Sequence, residues 1–195
     1  MGSRRLGRKR LVSLEKRGEK LTASQIGVGA GMEPALVRAT RMRDGIFNVV
    51  EMVFDLGTSS AAIASHAAND VIGVDGEDGT IFTWDADING YLVDLEMLIL
   101  ETPTTGDDDI HLYANNSAIN ANAAGDGGTD TTIDISTAVL GESQSVAVTA
   151  AATYATNKFF YLVSDGSTAG TYDNGILVIR TTGFVLDTAA ADTFV

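Results

Sequence analysis

The sharpest chemical signature in the chain is Asp85-x-Asp87-x-Asn89-Gly90, followed by five residues and Glu96. It satisfies the calcium-loop pattern D-x-[DN]-x-[DN]-G-x5-E at every position. Calcium suits such a set because oxygens at the first, third and fifth loop positions and a bidentate carboxylate at the twelfth surround the ion, while glycine permits the bend. The flanks speak against that use. An EF-hand needs a helix on each side, whereas Asp75-Gly76-Glu77-Asp78-Gly79 upstream and Pro103 downstream fit turns around strands. The expectation is a hairpin turn at Asp87-Ile88-Asn89-Gly90 with Glu96 on the next strand, and no bound metal.

Other reactive residue types are scattered. His66 and His111 each fall in an expected strand, and neither has a sequence neighbour at metal-ligand spacing, so both read as ordinary strand histidines. Asp75, Glu77, Asp78, Asp107, Asp108 and Asp109 are numerous enough to supply a pair of glycosidase carboxylates, but they sit in turns where solvated charge is the ordinary state. A Ser-His-Asp arrangement lacks the Gly-x-Ser-x-Gly elbow that would hold its nucleophile. Gly27-x-Gly29-x-Gly31 misses the G-x-G-x-x-G spacing of a dinucleotide loop. There is no cysteine, which removes disulfides, thiolate metal sites and a cysteine nucleophile. No constellation assembles a reaction centre even in outline, so the chain reads as a non-enzyme without a cofactor.

Charge is the stronger signal. Residues 1–45 hold eleven of the thirteen Lys and Arg residues against four acids, a net of +7, and residues 46–195 hold two against twenty-two, a net of −20. A basic segment beside an acidic body is complementary to acidic protein surfaces, including neighbouring copies of the same chain. Nucleic acid is disfavoured as the partner, because a body of −20 is repelled by a polyanion and offers no aromatic and basic surface to compensate.

The elements that would position these residues divide at the same place. In the basic part, Leu6, Leu11 and Leu14 among Arg and Lys permit an amphipathic helix over residues 3–18. Residues 22–32 read as an extended linker whose glycines allow close backbone approach, and residues 33–42 as a second short helix with Pro34 in its first turn, ended by Asp44-Gly45. From Ile46 onward the pattern is strands and turns, with the clearest alternation over residues 91–100, read as a central strand. About nine strands follow from such alternation. The expected fold is all-β, a β-sandwich or jelly-roll-like body over residues 46–195, preceded by an extended basic arm over residues 1–45 with one or two short helices. All the alternating strands lie in residues 46–195, so that part is expected to fold alone. No apolar run approaches the 18 or so residues of a membrane span. Ser3-Arg4-Arg5 lacks the apolar stretch of an export signal, and Leu6 stands where myristoylation needs Ser or Thr, so neither export nor a lipid anchor is expected.

In style the whole chain resembles the virion structural proteins of tailed bacteriophages. The likeness rests on Met1-Gly2-Ser3-Arg4-Arg5-Leu6-Gly7-Arg8-Lys9-Arg10 and on strand and turn units such as 91–102, 107–113 and 175–180. It implies a capsid decoration or cement protein on the outer capsid surface. Its partners would be the major capsid protein or other virion proteins, together with further copies of itself. The binding arm would comprise Arg4, Arg5, Leu6, Arg8, Lys9, Arg10, Leu11, Leu14, Arg38, Arg41 and Arg43. The alternatives are a tail, collar or fibre-base component, a nucleic-acid-packaging jelly-roll capsid protein, and a carbohydrate-binding β-sandwich with calcium at residues 85–96. The last wants a row of exposed aromatic rings, and one Trp and five Tyr suggest none.

Overall fold

Alternation of apolar and polar residues is obeyed most plainly over Phe47–Asp55, where Asn48, Val50, Met52 and Phe54 are buried and the residues between them face outward. The computed structural model describes residues 18–44, 46–58, 62–124, 130–135, 138–147, 158–166 and 168–184. Within these the strands are β1 (Gly18–Leu21), β2 (Leu36–Asp44), β3 (Phe47–Asp55), β4 (Ala64–Ser65), β5 (Asp70–Val71), β6 (Thr80–Trp84) and β7 (Tyr91–Thr104). They continue with β8 (Ile110–Asn115), β9 (Asp130–Ile135), β10 (Ser143–Ala147), β11 (Lys158–Ser164), β12 (Gly170–Thr171) and β13 (Asn174–Phe184). The fold is all-β.

One sheet has six antiparallel strands in the order β1-β2-β3-β13-β7-β10. The second runs β5-β11-β8-β9, with β6 also paired to β11, and β4 and β12 form a small ribbon. Inward residues of both larger sheets meet in one apolar core: Met52, Phe54, Leu95, Met97, Leu177 and Ile179 from the first, and Phe82, Trp84, Leu112, Ile133, Phe160 and Leu162 from the second. Phe82 and Phe160 stack with ring centroids 4.3 Å apart. The alternating stretch 91–100 is an inner strand, β7, bonded on both sides by β13 and β10. Gly183 is required in β13, because a Cβ there would collide with the Asn89 carbonyl and the Trp84 ring.

The basic region departs from expectation. The helix anticipated over residues 33–42 is a single 3-10 turn, Glu33–Ala35, and then β2. Pro34 fits the turn, and the next nine residues gain ladder bonds from β1 on one side and β3 on the other, which outweighs a weak local preference for helix. The division placed at residue 45 therefore falls between the two strands of a hairpin. Leu21, Ile26, Met32, Ala35 and Ala39 belong to the same core as the rest, so residues 18–44 are part of the body.

The expected linker is half right. Thr22 caps a one-turn helix, Ala23–Ile26, through a capping box with Gln25, and Gly27 ends it in the left-handed region at φ 68°. Beyond it the glycines do bring backbones together: Gly29 donates to the Thr80 carbonyl and Gly31 to the Asp78 carbonyl, both at 2.8 Å. Residues 3–17 of the first expected helix lie outside the described residues, and Gly18 already belongs to β1.

Candidate functional site

Of the residues expected to bind a partner, Arg4, Arg5, Leu6, Arg8, Lys9, Arg10, Leu11 and Leu14 lie outside the described residues. The other three sit on β2 and part company. Arg38 faces outward and pairs with Glu51 at 2.9 Å, and Arg43 is exposed. Arg41 turns inward, where its guanidinium donates to Asn89 Oδ1 at 3.4 Å and its side chain keeps only 15% exposure. Alternation along a strand explains this, since Arg41 lies between outward Thr40 and Met42 and opposite buried Val50. The other guanidinium nitrogen of Arg41 lies 3.9 Å from the exposed Glu19 carboxylate on β1.

Asn89 is the hub of that inner network, accepting from Arg41 and, at 3.0 Å, from Asn48 Nδ2, while Trp84 Nε1 donates to the Gly90 carbonyl at 2.8 Å. Arg41, Asn89, Trp84 and Thr181 line a cavity of about one water molecule's size. The turn expected at residues 87–90 is instead a helical turn, Ala86–Asn89, whose N-cap Asp85 accepts from the amides of Asp87 and Ile88. Glu96 is held by Arg180. Of the calcium-loop side chains, Asp85 is engaged in a cap, Asn89 in a buried network and Glu96 in an ion pair, and the helices an EF-hand needs are absent among the described residues.

The outer face of the six-stranded sheet carries two features invisible in any local stretch. A ladder of charge runs across four strands: Arg38 to Glu51 at 2.9 Å, Glu51 to Arg180 at 3.1 Å, and Arg180 to Glu96 at 2.9 Å. Hydrogen bonding to Glu51 raises the Arg180 pKa against the opposing effect of its partial burial. At one end of the same sheet, Phe47, Phe184 and Tyr91 are direct cross-strand neighbours on β3, β13 and β7, and the two Phe rings meet edge to face at 6.0 Å and 63°. Phe47 and Tyr91, with Met42 and Leu100, are exposed.

A third constellation gathers where β7 leads into β8 and β11 ends. His111 Nε2 lies 3.1 Å from Asp109 Oδ1 and 3.8 Å from Asp165 Oδ2, and its Nδ1 lies 3.4 Å from the Tyr113 hydroxyl. Asp107 is buried beside them; its Oδ1 accepts from the Asp109 amide at 3.2 Å, and Oδ2 has no hydrogen-bond partner among the described residues. The loop is pinned by the Asp107 amide donating to Ser65 Oγ and the Tyr172 hydroxyl donating to the Asp107 carbonyl, each at 2.9 Å. Burial pushes the pKa of Asp107 up. Burial also raises that of Asp109, with the nearby charge of Asp165 and Asp107 adding to it and His111 opposing it. Asp109, His111 and Asp165 are the one group among the described residues whose His and carboxylate ligand atoms converge as a metal site requires. The reading of His111 as an ordinary strand histidine without a neighbouring ligand overlooked Asp109 two residues before it, and Asp165 comes from a distant strand end.

His66 follows β4 directly, and its Nε2 is buried without a hydrogen-bond partner among the described residues. No helix among the described residues is long and apolar enough to cross a membrane. Compared with known protein families, with curated proteins and with solved structures, the chain matches none. What the fold defines is therefore a class by architecture alone, an all-β protein with an ion-paired and aromatic outer face.

Proposed function

We propose that this chain is a β-sandwich structural protein of a tailed-phage virion, which decorates or cements the capsid from its outer surface and is anchored there by its N-terminal segment. The observation that carries the reading is the distribution of charge after residues 18–44 are assigned to the sheet. Residues 1–17 retain seven of the thirteen basic residues and only Glu15 as an acid, while the remainder is strongly acidic. So short and basic a segment suits an acidic neighbouring protein surface, with Leu6, Leu11 and Leu14 adding apolar contact. The sandwich reading draws on the shared core of the two larger sheets.

The outer sheet face supports contact with other proteins. Its ladder leaves each inner charge matched, and its aromatic row adds exposed apolar area at the sheet's end. The same row suits sugar poorly, because rings tilted at 63° do not form a flat stacking platform. Charges already paired on this face are not the contacts that would hold a partner from a distance. That role falls to residues 1–17.

The test is attachment to particles that lack the protein. Deleting residues 1–17 should abolish attachment. Neutralising Arg4, Arg5, Arg8, Lys9 and Arg10 should weaken it chiefly at low salt, since exposed ion pairs contribute about 0–1 kcal/mol each and are screened. Leu6→Ala with Leu14→Ala should weaken it at all salts. Attachment by the chain lacking residues 1–17, or displacement of the protein by duplex DNA at moderate salt, would refute the anchor.

A further inference from the structure

We propose that Asp109, His111 and Asp165 form a binding site for a divalent first-row transition metal, with zinc preferred to calcium, that clamps the start of β8 to the end of β11. The three ligand atoms lie within 4.8 Å of one another, and two of the separations are 3.1 and 3.8 Å. Metal bonds of about 2.0–2.2 Å to nitrogen and oxygen place neighbouring ligands roughly 3.0–3.6 Å apart around a tetrahedron or octahedron, so only small side-chain adjustments are needed. One imidazole and two carboxylates select zinc, manganese or nickel over calcium, which takes oxygen ligands in larger number.

A further carboxylate, Asp107, adds negative charge beside Asp109. Asp107 is 2% exposed, yet its Oδ2 has no hydrogen-bond partner among the described residues. Its carboxylate sits against the Asp109 amide and against Gly166, the neighbour of Asp165, where a Cβ would strike it. Three carboxylates, of Asp107, Asp109 and Asp165, thus gather near one histidine, a charge arrangement that favours a bound cation. The Tyr113 hydroxyl lies 3.4 Å from Nδ1 of His111, where it can accept the Nδ1 proton when Nε2 binds a metal, and Asp165 is held by its own amide donating to the Asp109 carbonyl at 3.1 Å. The site sits at the end of the β8–β11 ladder, so a bound ion would add a side-chain link to backbone bonds already in place.

The experiment uses the full chain, stripped with a chelator and titrated separately with zinc, manganese and calcium chloride by calorimetry, with thermal melts in parallel. One equivalent of zinc should bind and raise Tm by about 5–10 °C at a hundredfold excess over Kd, whereas calcium should shift it by less than about 1 °C. His111→Gln and Asp165→Asn should each lower zinc affinity more than tenfold with an unchanged circular dichroism spectrum, and Asp85→Ala should leave it intact. Asp165 is on an exposed loop end, so its variant serves if His111→Gln fails to fold. Absence of saturable zinc uptake, or uptake undiminished in Asp165→Asn, would overturn the assignment.

Discussion

Tyr172 illustrates how a single side chain couples burial to pH. Its ring is in the core, its hydroxyl donates to the Asp107 carbonyl at 2.9 Å, and burial drives its pKa well above the ordinary tyrosine value. The folded state therefore keeps the phenolic proton at a pH where the unfolded chain has lost it. For an acid whose folded pKa is raised, stability is full below the unfolded value near 10 and falls as pH climbs from there toward the folded value. Tyr172→Phe should lose about 1 kcal/mol at neutral pH through the missing hydrogen bond and should flatten the alkaline decline, measured by urea melts at pH 7 and pH 11. Arg180 makes the opposite kind of contribution. Both its partners are partly exposed, so Arg180→Ala should cost no more than about 1 kcal/mol, and that cost should shrink in high salt.

At the scale of elements, the first two strands decide where the domain begins. β1 and β2 add Leu21 and Ala39 to the core, and the chain between them adds Ile26, Met32 and Ala35. A fragment starting at Ile46 would expose the edge of β3 along its whole length and leave those contacts empty. It should bind ANS and aggregate, whereas a chain starting at Gly18 should melt within a few degrees of the full one. Cooperative unfolding of the Ile46 fragment with a native-like Tm would show that β1 and β2 are dispensable. Within β3 the inward face carries the weight: Phe54→Ala should cost roughly 3–5 kcal/mol by chemical denaturation, as expected for a fully buried ring whose space cannot be refilled.

Over the whole molecule, charge governs solubility and association. A net charge of −13 keeps copies apart at neutral pH, and the outer sheet face offers exposed Met42, Phe47, Tyr91 and Leu100 for contact once that repulsion is relaxed. Light scattering should rise as pH approaches 4.3, where the net charge vanishes. A Phe47→Ser, Tyr91→Ser double variant should scatter less at that pH if the aromatic row is the contact. Equal scattering would place self-association elsewhere.

Much of the β-structure was legible in the chain because alternation is a local signal: Phe47–Asp55, Tyr91–Thr104 and Ile110–Asn115 are strands where period-two patterning says they should be, and Lys158–Ser164 is one where a short continuous apolar run says so. The concentration of positive charge near the start needs no structure to be seen either. β2 was illegible because Arg, Ala, Thr and Met tolerate helix and strand alike, and only the ladder bonds from β1 and β3 settle the matter. The direction of Arg41, the charge ladder and the aromatic row were hidden for a related reason, since each depends on register between strands far apart in sequence. The Asp109, His111 and Asp165 cluster is the clearest case. Two of its members are neighbours, but the third arrives only when β11 pairs with β8 and carries Asp165 to the Asp109 carbonyl, because pairing, and not spacing along the chain, sets which side chains share a few cubic ångströms.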